Sequence, residues 1–262
     1  MQYISFASGS SGNASLVRED GCALLLDAGE NKRTMLRRLY EYGIHPAAVR
    51  AILLTHDHAD HSKTVGAFCQ EYGFPVYAAR EVFDGIDANP TFRKRPPKES
   101  RREIENGTTF AIGPFSITPF DVPHDSNRNF GFFIETKTTN LCLITDIGHY
   151  TPVITSYIER ARNLVVEANY DEALLQFGPY PEHLRRRIRS PRGHSSNEET
   201  AEVLAAHLSP EARRVFLCHL SQENNRPDIA RNQVVEALKA AGRTPEVVVL
   251  RRREPTGFFD LD

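Results

Sequence analysis

Several residue types are scarce in this sequence, and each scarcity excludes a class of protein. The 262 residues contain no tryptophan, two methionines and four cysteines. The cysteines, Cys22, Cys69, Cys142 and Cys218, lie far apart and mostly inside apolar runs. That spacing excludes a disulfide-rich scaffold and a cysteine-type zinc site, and we expect reduced, buried thiols.

Long apolar runs are also absent, whereas a membrane-spanning helix needs roughly 18 apolar residues or more. Residues 1–6 lack the basic and long apolar regions of a signal peptide. We therefore expect a cytoplasmic protein without a membrane partner. Linkers, low-complexity tracts and short repeats are missing as well, which predicts one domain over residues 1–262.

Lysine is the rarer basic residue, because only six of the 32 basic residues are lysines and the other 26 are arginines. The formal net charge of −2 excludes a polycation that binds nucleic acid without specificity. Arginine favours bidentate contacts with phosphate, although a high arginine content also follows genome composition. Charge alone therefore leaves the substrate open.

Strand-like apolar segments alternate with amphipathic segments along the chain. Residues 32–42 have helical spacing, for example, and residues 51–55 form an apolar strand. This alternation predicts a mixed α/β fold in which helices cover two packed sheets. Two segments keep two interpretations each. Residues 8–13 form either a hairpin turn or a ligand-facing loop, and residues 89–102 form either a solvated loop or a flap that contacts phosphate.

Residues 56–61 are unusually dense in metal-binding side chains. The segment reads His-Asp-His-Ala-Asp-His and directly follows the apolar run 51–54. Histidine is the commonest protein ligand of transition metals, and carboxylates suit the harder ions. A solvated loop has no physical need for this spacing. The segment therefore predicts half of a metal site.

Four apolar strands are followed by a residue of this kind: His56, His124, Asp146 and His219. In open α/β folds, sites lie beyond the carboxyl ends of the strands. Together with the 56–61 segment, these strand ends offer seven ligands: His56, His58, Asp60, His61, His124, Asp146 and His219. Seven ligands exceed the needs of one tetrahedral ion and suit two ions that share a carboxylate.

The motif at 56–61, the upstream Asp27, and the later His124, Asp146 and His219, in this order, resemble the metallo-β-lactamase superfamily. The resemblance implies an αβ/βα sandwich of two mixed β-sheets flanked by helices, with a dinuclear site at one edge. It also implies two ligand sets with Asp146 bridging them: His56, His58 and His124 for one ion, and Asp60, His61 and His219 for the other. Asp27 would support the site without binding metal.

Residues 6–13, 193–197 and 217–225 are similar to the YycJ/WalJ group of this superfamily, which is itself similar to ribonuclease Z and to phosphodiesterases. Members of that group act as nucleases on DNA. The group's usual Gly-His-Leu-Ser-Asn reads Gly-His-Ser-Ser-Asn here. We expect the change to be minor, because His194 is retained.

The segment before His194 is rich in arginine, and its chemistry suits a phosphodiester independently. Ser195 and Ser196, followed by two glutamates, resemble capping boxes, so we expect His194 at a helix N-terminus that favours an anion. There it can protonate a leaving oxygen. We expect substrate contacts from Ser195, Ser196 and five arginines: Arg185, Arg186, Arg187, Arg189 and Arg192. The alternative is a solvated basic surface with an incidental histidine.

The expected function is a dinuclear metal-dependent phosphodiesterase, a 5′–3′ exonuclease on DNA rather than RNA, that uses metal-activated water. Asp60 and His194 are the expected catalytic residues. The expected cofactors are two divalent ions among Zn, Mn, Fe and Ni, with Zn or Mn favoured. No obligate protein partner is expected. One alternative is a small-molecule hydrolase of a cyclic phosphodiester, lactone or thioester. Another is an iron-binding redox module, against which His58 argues.

Overall fold

The computed structural model describes residues 1–262. One seven-stranded sheet has the order β14-β1-β2-β3-β4-β5-β6. Its strands are β1 (Gln2–Ala7), β2 (Ala14–Glu19), β3 (Cys22–Leu26), β4 (Val49–Leu53), β5 (Val76–Ala78), β6 (Arg101–Glu103) and β14 (Phe259–Asp260). The other sheet has the order β13-β12-β11-β10-β9-β8-β7. Its strands are β7 (Phe110–Ile112), β8 (Phe115–Asp121), β9 (Phe130–Glu135), β10 (Asn140–Ile144), β11 (Asn163–Glu167), β12 (Arg214–Cys218) and β13 (Glu246–Val249).

Helices flank both sheets, as the predicted sandwich requires. They are α1 (Lys32–Glu41), α2 (Ala59–Ser62), α3 (Val65–Tyr72), α4 (Arg80–Ala88), α5 (Pro152–Ile158), α6 (Glu172–Phe177), α7 (Glu182–Ile188), α8 (Asn197–His207) and α9 (Pro227–Ala240). The largest apolar cluster joins the two sheets and continues under α1, α3 and α4. A second cluster lies between the second sheet and α5, α8 and α9. The predicted fold class is confirmed.

Strand direction gathers the predicted ligands at one edge of the sandwich. β3 and β4 are parallel, and so are β10, β11 and β12. β8 and β10 are each antiparallel to β9, so β8 runs in the same direction as β10. Since parallel strands present their carboxyl ends at the same edge, the residues that follow these strands meet there.

All four cysteines are buried and free, as the sequence predicts. No helix combines the length and the hydropathy that crossing a bilayer requires.

Helices α4 to α7 are absent from the sequence prediction. α5, α6 and α7 have only six or seven residues, too few turns of apolar spacing to distinguish a helix from a loop. α4 has nine residues and buries Val82, Phe83 and Ile86, so its helical spacing was available in the sequence and was missed. The 89–102 segment is also more ordered than a solvated loop. It ends in β6, and Arg101 donates two hydrogen bonds of 2.8 Å to the carboxylate of Asp87 in α4. Arg95 donates to the carbonyl oxygens of Ile86 and Asn89. These bonds tie the segment to α4.

Candidate metal centre

Strained backbone turns three site residues into the edge of the sandwich. Asp27, Asp146 and His219 have positive φ values of 60°, 53° and 52°. A non-glycine residue in this region costs about 1–2 kcal/mol, so it persists only where the surrounding structure holds it. The amide of Asp27 donates to the carbonyl oxygen of Leu53 at 2.9 Å, which locks the first of these turns to β4.

The first candidate ligand set consists of His56, His58 and His124, which could hold a metal ion because their nitrogen atoms lie within 4.8 Å of one another. His124 Nδ1 donates to the carbonyl oxygen of Gly193 at 2.9 Å, which leaves a lone pair on Nε2. That Nε2 lies 3.3 Å from Nδ1 of His58. Nε2 of His56 is buried and has no hydrogen-bond partner. An orphaned buried lone pair beside two others is the donor set that a divalent cation requires.

The second candidate ligand set, which could hold another ion, consists of Asp60, His61 and His219. His61 Nδ1 donates to Asp27 Oδ2 at 2.7 Å, so its Nε2 faces the carboxylate of Asp60 at 3.6 Å. Asp27 also accepts from the amide and the hydroxyl of Thr55 at 2.9 and 3.0 Å. Asp27 therefore orients a ligand from behind, as the carboxylate does in carboxylate–histidine–metal arrangements.

Asp146 lies between the two sets and is fully buried. Its Oδ2 is 3.1 Å from His61 Nε2 and its Oδ1 is 3.7 Å from His124 Nε2. Burial alone would raise the pKa of Asp146, but His219 and His61 hold that pKa well below its ordinary value. Burial likewise would lower the pKa of His61, but Asp146 and Asp27 hold it well above its usual range. An ionised carboxylate between two imidazole sets suits a pair of divalent ions.

The loop of residues 8–13 faces the metal centre, which decides between its two interpretations. The hydroxyl of Ser8 accepts from the amide of His219 at 2.9 Å. Nδ2 of Asn13 lies 2.8 Å from His61 Nε2 and 3.2 Å from Asp60 Oδ2. This segment is therefore part of the site as well as a hairpin connection.

Sequence reasoning missed Glu167, a fully buried carboxylate that holds His194. Its Oε1 accepts from His194 Nδ1 at 2.8 Å, and its Oε2 accepts from the amides of Ile147 and Ser195 at 3.0 and 3.2 Å. Burial by itself lowers the pKa of His194, but Glu167 and then Asp146 raise that pKa to about 9. The sequence could have identified Glu167, because β11 is an apolar strand that ends at this carboxylate, as the strands before the predicted ligands end at a histidine or an aspartate.

Asp125 is a second missed residue. Its Oδ1 lies 3.4 Å from His124 Nε2 and 3.7 Å from His58 Nε2. Its Oδ2 accepts from Nε of Arg187 at 2.5 Å. Burial opposes ionisation, but Arg187 and His124 lower the pKa of Asp125 below its ordinary value. Arg187 is thereby fixed beside the first ligand set.

The other predicted arginines have partners within the protein. Nε of Arg192 donates to the carbonyl oxygen of His124 at 2.8 Å and braces that ligand's loop. Arg185 and Arg186 both pair with Glu182, at 2.9 and 3.0 Å, and Arg189 pairs with Glu172 at 2.6 Å. These pairs follow from helical spacing in α7 and from the adjacent α6. Arg187 is therefore the member of this group that lines the cleft.

The hydroxyl groups of Ser195 and Ser196 also make hydrogen bonds within the protein. Ser195 is fully buried, and its hydroxyl lies 3.0 Å from that of Thr200. Ser196 is the N-cap of α8, where its hydroxyl accepts from the amide of Glu199 at 3.0 Å. The predicted helix start is present, and the structure gives both hydroxyls a role in positioning His194 rather than a surface for substrate.

A cleft of about 250 Å³ lies over the ligand sets. Its lining includes His58, Asp60, Asp125, Arg187, His194 and His219. The cleft thus joins both candidate ligand sets, a cationic side chain and an imidazole whose pKa, despite burial, the Glu167 carboxylate raises. This combination fits divalent metal ions and an anionic substrate.

Comparison with known proteins agrees with this geometry. The family model described as "Beta-lactamase superfamily domain" matches residues 23–220. The exodeoxyribonuclease WalJ of Streptococcus pneumoniae is 32% identical over 240 residues, which cover 92% of this chain and 89% of that protein. The exodeoxyribonuclease YycJ of Bacillus anthracis is 30% identical over 242 residues, which cover 92% and 90%.

Solved structures show the same fold at lower identity. The metallo-β-lactamase fold protein YhfI of Bacillus subtilis superposes with a TM-score of 0.71 at 17% identity, and covers 97% of this chain and 98% of its own. Zn²⁺-bound PqqB of Methylobacterium extorquens also gives 0.71, at 18% identity and 97% and 99% coverage. The family model, the two bacterial relatives and the ordered set of ligands agree. The chain therefore belongs to the metallo-β-lactamase superfamily, and within it to the YycJ/WalJ-like group.

Proposed function

We propose that this protein is a dinuclear metal-dependent phosphodiesterase that acts as a 5′–3′ exonuclease on DNA. The observation that carries the proposal is the position of His194, which the buried Glu167 holds at 2.8 Å in the same cleft as two adjacent ligand sets. A hydrolase of neutral esters needs the metals but has no need of a protonated imidazole and an arginine beside them. The names of the WalJ and YycJ relatives support the choice of DNA.

The ligand sets would hold two divalent cations, with Asp146 shared between them. When bound, such ions supply Lewis acidity to a phosphoryl group and lower the pKa of a water molecule. We propose Zn or Mn ahead of Fe or Ni, since the donors are imidazole and carboxylate. Asp60 is one-quarter exposed to the cleft, and its second role is to orient the attacking water.

His194 completes the reaction on the other side of phosphorus. Its Nδ1 is engaged by Glu167, so the proton available to substrate is on Nε2. In the proposed step, water forms a bond to phosphorus and releases one of its protons to solvent, while the bond to the leaving oxygen breaks and that oxygen takes the Nε2 proton of His194. Arg187, which pairs with Asp125, would contact a non-bridging phosphate oxygen.

The test uses purified full-length protein loaded separately with Mn²⁺ and Zn²⁺. Linear DNA labelled at either end, closed circular DNA and RNA are the substrates, and an Asp60→Ala/His61→Ala double variant is the control. We expect metal-dependent shortening of linear DNA from the 5′ end, intact circles, slower action on RNA and an inactive control. Absence of metal-dependent cleavage of every nucleic acid would overturn the proposal.

One observation favours a second candidate, a small-molecule hydrolase of the same fold. Arg185, Arg186 and Arg189 are paired with carboxylates of the chain itself, so fewer cations face the cleft than the sequence implies. Turnover of a cyclic phosphodiester, lactone or thioester that exceeds turnover of DNA, and that is unaffected by Arg187→Ala, would favour this candidate.

A further inference from the structure

The loop after β13 places an unpaired arginine side chain against Gly9, which directly precedes Ser10 in the lining of the cleft. Three arginines occur in succession at 251–253. Arg251 pairs with Glu254 at 2.6 Å and is largely exposed. Arg252, in contrast, is half-buried. Its guanidinium makes no ion pair within 4.0 Å and no hydrogen bond, whereas that of Arg251 makes both with Glu254. Its Nη1 lies 3.5 Å from the position that a Cβ on Gly9 would occupy.

The backbone of this loop is fixed to the metal centre. The carbonyl oxygen of Arg252 accepts from the amide of Ser8 at 3.3 Å, and the hydroxyl of Ser8 accepts from the amide of His219. The carbonyl oxygen of Arg253 accepts from the buried guanidinium of Arg38. Arg252 is therefore two hydrogen bonds away from a metal ligand, and its main chain is held on both sides.

The side chain of Arg252 packs against Gly9, because its Cγ and Nη1 lie 3.2 and 3.5 Å from the position of a Cβ on that glycine, and the carbonyl oxygen of Leu220 lies 3.6 Å from the same point. Gly9 precedes Ser10, and Leu220 lies between His219 and Ser221; these three neighbours line the cleft. Burial lowers the pKa of Arg252 and neighbouring Arg253 lowers it further, while Tyr180 and Glu223 oppose this change. No carboxylate of the protein compensates the lost hydration of this cation directly. A partly desolvated arginine fork without an internal partner fits an anion from outside.

We infer that Arg252 is a substrate-positioning residue that binds a backbone phosphate next to the one being cleaved. The inference rests on the proposed function, because a polyanionic strand places a second phosphate near the metal centre and a single small ester does not. Arg252 then fixes the register of the strand, while Arg187 and His194 face the reacting phosphate. Arg252 is far in the sequence from Arg187 and His194, so only the fold brings these side chains to the same site.

The first test compares Arg252→Ala with Arg251→Ala, a matched control whose side chain is exposed and paired. We expect Arg252→Ala to raise KM for single-stranded DNA about tenfold with kcat changed less than about twofold. The slope of log K against log salt concentration should fall by about one. Arg252→Lys should retain that slope and recover part of KM, and Arg251→Ala should match the wild type. An unchanged KM in Arg252→Ala overturns the inference.

A second test locates the contact. Single neutral methylphosphonate linkages are placed at successive positions of the strand, and affinity is measured by fluorescence anisotropy. One position beside the scissile linkage should weaken the wild type and leave Arg252→Ala unaffected. Equal weakening of both proteins at every position would overturn the inference. A wild type that binds the strand in this pattern but cleaves no nucleic acid would refute the proposed function while supporting the Arg252 contact.

Discussion

Replacing Glu167 by glutamine tests the role of the buried carboxylate at the end of β11. Both of its oxygens accept hydrogen bonds, Oε1 from His194 and Asn169, and Oε2 from Ile147 and Ser195. A glutamine has nearly the same shape but carries no charge, and its NH₂ group must face one pair of donors. The substitution therefore removes the negative charge that faces His194. It also places the NH₂ group of the glutamine against other hydrogen-bond donors in a buried site.

The size of the effect follows from the pKa of His194. Its rise from an ordinary value near 6.5 to about 9 corresponds to roughly 3 kcal/mol in favour of the protonated ring. Because the native pKa lies above the unfolded one, this contribution to the free energy of unfolding is complete below about pH 6.5. It is lost as the pH rises through about 9. The contact between the glutamine NH₂ group and those donors lowers the free energy of unfolding by a further amount of about 1–3 kcal/mol that does not depend on pH.

The assay uses chelator-treated protein, the state in which the ring titrates without a cation nearby. Ring resonances of His194 followed by NMR give its pKa, and urea unfolding at pH 6 and pH 9.5 gives the free energy. We expect the wild type to lose about 3 kcal/mol more than Glu167→Gln between these two pH values. The NMR pKa of the variant should fall below about 7.

A second carboxylate–imidazole pair provides the control. His207 Nδ1 and Glu159 Oε1 also lie 2.8 Å apart, but their side chains are 39% and 55% exposed. Water screens such a pair, so Glu159→Gln should change the free energy of unfolding by less than about 0.5 kcal/mol at pH 6. Equal pH dependence in the wild type and Glu167→Gln, with an unmoved His194 pKa, would refute the reasoning.

Three further predictions concern metal binding. A Cβ at Gly29 would lie 1.5 Å from the carbonyl oxygen of Asp60. Gly29→Ala should therefore abolish stoichiometric metal binding in elemental analysis and destabilise the fold by about 3 kcal/mol or more. The control Gly43→Ala has open space around the new methyl group, so it should cost about 1 kcal/mol and keep the metal. Asp27→Asn weakens the hold on His61 Nδ1 and should reduce metal affinity about 10- to 100-fold in competition titrations; unchanged affinity would contradict the support assigned to Asp27. Chelation should lower the thermal midpoint of the wild type, since ions that bind only the folded state stabilise it by mass action, and re-addition of Mn²⁺ or Zn²⁺ should restore it.

The sequence by itself determined the fold class and the set of candidate ligands. Strand-sized apolar runs that stop at His56, His124, Asp146 and His219 are local signals, and the direction of parallel strands carries them to one edge. Short helices were missed because one or two turns of amphipathic spacing are not distinctive. Glu167 follows the same strand-end pattern, but it is not among the positions that resemble the superfamily's ligand motif.

The tertiary structure alone decided which charges are available to a substrate. In the sequence, the five arginines before His194 are equivalent, and Arg252 is one of three in succession. The fold turns Arg185, Arg186 and Arg189 onto carboxylates of α6 and α7, and leaves Arg252 without one beside the cleft. Ion pairing depends on distances between segments far apart in the chain, and sequence spacing does not encode those distances. Metal ligands follow from chemistry at strand ends, whereas the binding of an anion depends on which cations the fold leaves unpaired.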